Sequence, residues 1–447
     1  MSPTARRISA SLALAIGLGC GTGARAETGT PSWLNGLLVA PEQIPKTDLP
    51  MLQTTLGLLS PDQAGLWEDP WGDTSALRLR RLIDTHRDSP IPQARALFQR
   101  LMLLRSPPAR GSADGEGLLR ARIDALLRLG ALDPAEALLA EAGMTRPELF
   151  RRGLAVGLLT GRVEAACAAL ARTAVPAASA SARAYCLARA GDWSAAHIIA
   201  STGEAVGQLS TIQAHVLTWF LDPSSLEGTP PPPLPPELSV LDFTLRDAVG
   251  LPRPRGLLPL AFEHVDLDDG APVRARIEAG ERLAVEGAIA PTTLFQAYRA
   301  GTPAASGGIW DRAQATQDLD RSLAEEDPLA IATAVRRADH VFSRRGLRNV
   351  FAQEYGDKLA TVPRRVGDTD FRAEMFELLL LSGNTNGAWR WGRDAPTPQD
   401  RLLLALTGPA GALPDRTLLE LVERQRRLGP ECRDPPLRDR ALSDFAV

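Results

Sequence analysis

The sequence predicts an all-α chain of helical hairpins stacked as an α-solenoid, interrupted by an irregular Pro-rich middle segment. Three observations predict it. Apolar residues recur at helical spacing, and no run of alternating β-branched residues is long enough to nominate a strand. A glycine followed five residues later by an alanine returns at Gly130/Ala135, Gly161/Ala166, Gly191/Ala196 and Gly383/Ala388, the first three glycines lying 31 and 30 residues apart. A period near 30 points to stacked helical pairs. Finally, residues 228–236 read GTPPPPLPP, which proline holds extended as a stiff linker or strap.

The elements follow in chain order. Residues 1–26 have the pattern of a cleaved signal peptide: Arg6 and Arg7, an apolar core over Ile8 to Leu18, and an A-x-A site at Ala24-Arg25-Ala26. Cleavage after Ala26 is the expectation, with lipidation at Cys20 the weaker alternative because Gly17, Leu18 and Gly19 make a poor lipoprotein box. Residues 27–75 form an irregular cap in which Trp33, Trp67 and Trp71 are expected to pack on the first helices. The helical repeats span 76–222. Within them Leu119, Ile123, Leu126 and Leu127 share one helix face. After Gly130, Asp133 offers an N-cap with Pro134 behind it. Residues 223–260 are the linker, and LPRPRGLLP (251–259) is its second breaker-rich run. A second helical region covers 261–429, with helices over 273–287, 292–300, 310–325 and 328–345. Asp327-Pro328 starts the last of these. The tail, 430–447, is polar.

The hairpin has a physical logic. Glycine lets the first helix end in a left-handed turn. The small residue lets the second helix lie close to the first. ARAGDWSAAHI (188–198) resembles the turn of a tetratricopeptide repeat, with Gly191 in the turn, Trp193 in the aromatic slot and Ala196 as the small residue. SGNTNGAWRW (382–391) resembles it through Gly383 and Ala388 but has no aromatic between them. The likeness covers roughly residues 118–220 and a second patch near 370–410. The period is shorter than the family's usual one and the closing proline is irregular. The resemblance implies a tetratricopeptide-like solenoid that binds a partner, and it carries over no catalytic residue.

The bulk numbers exclude some functions. The 447 residues are 44% hydrophobic and 23% charged with a net charge of −3, so no basic field argues for nucleic acid or an anionic membrane surface. Lys46 and Lys358 are the only lysines, leaving 48 of the 50 basic residues as arginine. We read this excess as compositional drift, not as a phosphate-binding signature. No later stretch is apolar and long enough to be a transmembrane segment.

Cys167 and Cys186 lie symmetrically about positions 176–177, on helices expected to be antiparallel neighbours. A disulfide there closes a loop of about 20 residues and stabilises by roughly 3 kcal/mol; the alternative is two separately buried thiols. No C-x-x-C pair and no histidine at ligand spacing supports zinc. The acidic stretch EHVDLDDG (263–270) places Asp266 and Asp268 as cation ligands, but Gly270 and Ile277 miss the EF-hand register, so a solvated loop is the better reading. Ser306, in AASGGIWDR (304–312), lacks the preceding strand of a nucleophile elbow; with Asp311 it is a candidate helix start. His86, His197, His215, His264 and His340 form no paired motif, and no phosphate-binding glycine loop appears. No cofactor is expected.

The expected function is a non-enzymatic scaffold of the periplasm or cell envelope, binding another envelope protein on a concave helical surface. The alternative is a peptidoglycan-associated accessory factor. It is only weakly similar to the non-catalytic helical part of soluble lytic transglycosylases, and it lacks their catalytic Glu-Ser start and Gly-Leu-Met-Gln signature. A third reading is a hydrolase using the 263–270 carboxylates.

Overall fold

A computed structural model describes residues 29–38, 55–86, 91–111, 116–173, 178–226, 228, 230–254, 258–301, 307–364, 366–392 and 403. The expected signal peptide, with Cys20 and Ala26, and the tail with Cys432 lie outside the described residues, as do Pro176 and Ser306. The described residues are helical, with three isolated bridges and no strand. The chain divides into two compact units, residues 1–290 and 291–447.

The first unit carries α1 (Pro61–Ala64), α2 (Ala76–Thr85), α3 (Pro92–Leu103), α4 (Glu116–Arg128), α5 (Leu132–Ala142), α6 (Pro147–Thr160), α7 (Glu164–Thr173), α8 (Ala180–Arg189), α9 (Trp193–Ala205), α10 (Thr211–Leu221), α11 (Val240–Ala248) and α12 (Val273–Val285). From α4 to α10 each helix packs on the next, so the unit is a run of hairpins. Gly130, Gly161 and Gly191 turn the chain with φ of 70, 71 and 88°. Ala135, Ala166 and Ala196 are buried where the second helix of each pair meets the first. Leu119, Ile123, Leu126 and Leu127 are all in the core.

Three details differ from the sequence reading. Asp133 is not a cap: α5 begins two residues earlier, after Ala131, and the exposed Asp133 carboxylate pairs with Arg162 at 2.5 Å. Residues 223–260 are not all linker, because Val240, Leu241, Phe243 and Leu245 give α11 a buried face. Arg246 of α11 donates to the carbonyls of Pro232 and Pro233, 3.1 Å each. Consecutive prolines offer acceptors without donors, so a guanidinium is a natural partner for them. The third detail concerns the expected loop at 263–270, whose first part is a 3-10 helix, Leu260–Leu267. It docks on the Gly130 turn: His264 is buried with Nε2 2.7 Å from the Gly130 carbonyl. A Cβ on Gly130 would stand 3.0 Å from Leu260 Cγ.

The N-terminal segment contributes selectively. Trp71 is buried and donates Nε1–H to Ser106 Oγ at 2.7 Å. Trp33 is buried edge-on against Phe262 of the 3-10 helix, ring centroids 5.6 Å apart, so its partner is not the first helices. Trp67 stays exposed.

Buried arginines hold the unit where apolar packing cannot. Arg122 donates to the carbonyls of Met102, Leu56 and Leu104 at 2.6, 3.0 and 2.9 Å. Burial pushes its guanidinium down to about 10. Arg152 is fully buried and grips Asp124 through Nε and Nη2, 2.7 Å each, joining α6 to α4. Burial works against its charge, but the Asp124 and Glu148 hydrogen bonds prevail and raise its pKa.

The second unit carries α13 (Pro291–Ala300), α14 (Ile309–Glu325), α15 (Pro328–Ser343), α16 (Arg348–Thr361), α17 (Thr369–Ser382) and α18 (Thr385–Gly392). Asp327 caps α15 by accepting from Leu329 N and Ala330 N, ahead of Pro328 at the first position. Phe295, Tyr298, Phe342, Phe351 and Tyr355 make an aromatic core with centroids 5.2–5.7 Å apart. Gly383, with φ of 82°, turns α17 into α18, and Ala388 is buried between them.

Candidate functional site

The α8–α9–α10 hairpins of the first unit combine the repeat geometry with exposed aromatic surface. Ser179, Asp192 and Ser210 cap the three helices, each side-chain oxygen accepting from the N–H three residues on. Asp192, which stands beside a tryptophan and near a histidine in sequence, is therefore a structural cap. Its Oδ1 lies 3.0 Å from Ala195 N. The cap fixes Trp193 as the first residue of α9. There the indole lies 6.3 Å from the Phe220 ring on α10, and Phe220 stacks on Tyr185 of α8 at 5.6 Å. Tyr185 is buried, which pushes its phenol pKa up.

The three rings form a shelf. Trp193 is its outer edge and keeps 51% of its surface exposed. The solvent side of α9 continues with His197 and with Ile198, 65% exposed. Asp222, just past α10, closes the edge; its carboxylate accepts from Ser224 Oγ at 2.6 Å and Ser224 N at 3.1 Å, and these bonds hold its pKa low. The shelf can bury apolar side chains and exchange a few edge hydrogen bonds.

The disulfide braces this region from behind. Cys167 of α7 and Cys186 of α8 are bonded, with Cα atoms 5.2 Å apart at a sequence separation of 19. On the outer side Arg189 of α8 pairs with Glu164 of α7 at 2.7 Å. The two links join one hairpin to the next. A similar pair, Arg162 with Asp133 and Glu136, joins the preceding ones.

The other candidates are occupied by structural roles. In the acidic stretch, Asp266 accepts from Arg253 with both oxygens at 2.8 Å, Glu263 pairs with Arg282, Asp269 with Arg276, and Asp268 accepts from Gly270 N. Carboxylates so engaged do not present an open acid–base pair. Asp311 accepts from Gly307 N at 3.0 Å in the first turn of α14, whose N-cap is Gly308. His264 belongs to the Gly130 dock, and burial lowers its pKa. Among the described residues no group of three or more His, Cys, Asp or Glu is placed to hold a metal ion.

The second unit has a shallow cleft of about 560 Å³ lined by Asp320, Leu323, Ala324, Asp357, Lys358 and Thr361. Its floor is an ion network: Arg299 bonds Asp320 at 2.7 Å and Glu354 at 3.0 Å, and Tyr355 donates to Asp320 at 2.9 Å. Burial and the Asp320 charge push the Tyr355 phenol strongly up. Asn384, delivered by the Gly383 turn, donates to Asp357 at 3.0 Å. These contacts bind α13, α14, α16 and the last hairpin together.

No protein-family model matches the chain, and no curated protein and no solved structure matches it. Sequence reasoning singled out Trp193 but missed Tyr185 and Phe220. Each lies on a helix packed against α9, which carries Trp193.

Proposed function

We propose that the chain is an exported, non-enzymatic scaffold of the cell envelope, a tetratricopeptide-like solenoid that docks another envelope protein on the α8–α10 shelf. The observation that carries this reading is Trp193: a tryptophan held by a helix cap beside two stacked rings, yet half exposed. An exposed aromatic anchored on a rigid base has the physical character of an interface anchor, because it buries large area at little conformational cost. The partner expected has an apolar segment that covers Trp193 and Ile198.

Truncating one such anchor costs about 2 kcal/mol or more, some 30-fold in affinity. Affinity capture from envelope extracts should therefore lose its specific protein with Trp193→Ser while the circular dichroism stays unchanged. Equal capture by the variant would remove the shelf from the interface. A second reading, a peptidoglycan-associated factor, is supported by the tilted Trp193 and Phe220 rings edged by His197 and Asp222, a pattern that suits a sugar face. Sedimentation of the protein with purified sacculi, lost on Trp193→Ser, would favour it.

A further inference from the structure

The net charge of −3 hides a local surface of the opposite sign. Helix α2 reads ALRLRRLIDT, and its inner face, Ala76, Leu79 and Ile83, is buried toward α4. The outward arc carries Leu77, Arg78, Arg81 and Leu82, with the leucines 57% and 56% exposed. Leu77 and Arg81 are one turn apart, as are Arg78 and Leu82, so the four side chains form one mixed patch. Several exposed arginines elsewhere pair with carboxylates, as Arg162, Arg189, Arg274 and Arg321 do. Among the described residues Arg78 and Arg81 have no such partner.

We infer that the outer face of α2 is a contact site for an anionic lipid surface. Cationic heads flanked by leucines match a bilayer interface, where guanidinium groups meet phosphates while aliphatic chains enter the acyl boundary. Charge complementarity selects the lipid class: the uncompensated charge of the patch is positive, so a zwitterionic surface gives no comparable attraction. Each arginine at an anionic surface is worth about 1 kcal/mol, or roughly five-fold in partitioning. Each leucine, going from half exposed to buried, adds a similar factor. The resulting contact is reversible and salt-sensitive, an orienting contact and not an anchor.

Vesicle flotation of the full chain tests this, with phosphatidylglycerol-containing vesicles against pure phosphatidylcholine. The expected result is binding to the anionic vesicles alone, weakened by high salt. Arg78→Gln/Arg81→Gln should lower the partition coefficient about 30-fold. Leu77→Ser/Leu82→Ser should lower it by a similar factor on the same vesicles. All four positions face solvent, so folding should be unaffected, as circular dichroism would verify. Binding that is unchanged in the arginine variant, or absent from anionic vesicles altogether, would overturn the inference; in the second case the patch would belong to a protein partner.

Discussion

Replacing Gly130 by alanine separates two roles of a turn glycine. Gly130, Gly161, Gly191 and Gly383 all have φ between 70 and 88°. An L-residue there costs roughly 1–2 kcal/mol in backbone strain. At Gly161, Gly191 and Gly383 nothing lies within 4 Å of the new Cβ, so that is the whole expected cost. At Gly130 the Cβ would meet Leu260 Cγ at 3.0 Å, Leu260 Cδ2 at 3.2 Å and Ala288 Cβ at 3.4 Å. Relieving that crowding means shifting the Leu260 side chain within its packing against the turn, at an overpacking cost of about 1–3 kcal/mol. Equilibrium urea denaturation should thus place Gly130→Ala below Gly161→Ala by about 1–3 kcal/mol. The gap should close in a Leu260→Ala background, where the clash is gone. Equal losses at the two glycines, or a gap that survives Leu260→Ala, would refute the docking of the 3-10 helix on this turn.

Other outcomes follow from the same contacts. Cys167→Ala/Cys186→Ala should cost about 3 kcal/mol in a denaturant titration, the entropy of a loop of about 20 residues; a loss near zero would mean the link constrains nothing. Arg152→Met leaves Asp124 buried without its counter-charge and should cost about 3–5 kcal/mol, most of it recovered by adding Asp124→Leu. Burial keeps the folded pKa of His264 below its ordinary value of 6.5, so the unfolded chain takes up the proton first. Stability should therefore be level above that value and fall as pH drops below it. The slope should flatten in His264→Gln, as thermal melts across pH would show.

Much of the helical pattern was legible because it rests on local rules. The helix starting at Asp327-Pro328 and the turns at Gly191 and Gly383 need only capping chemistry and left-handed φ. The Cys167–Cys186 pairing was legible because two adjacent antiparallel helices fix their register about the connecting turn. The rest depends on contacts between residues far apart in the chain. Nothing local distinguishes Arg122 and Arg152, buried among carbonyls and carboxylates, from the many exposed arginines, and the excess was read as drift. The 263–270 stretch was read as solvated because its acids are exposed-type residues; its partners, Arg253, Arg282 and the Gly130 carbonyl, lie 13, 19 and 134 residues away. The shelf was half visible: Trp193 fell in the repeat pattern, but its support from Phe220 comes from the following helix pair. The cationic face of α2 was masked by a sum over all charges.

The central claim is that the α8–α10 shelf docks a protein. The most direct measurement is in-cell photo-crosslinking from benzoylphenylalanine placed at position 193, with position 337 on the exposed side of α15 as control. The account predicts one discrete protein adduct from 193, absent from 337 and lost with Phe220→Ser. No adduct from 193, or the same adducts from both positions, would contradict it.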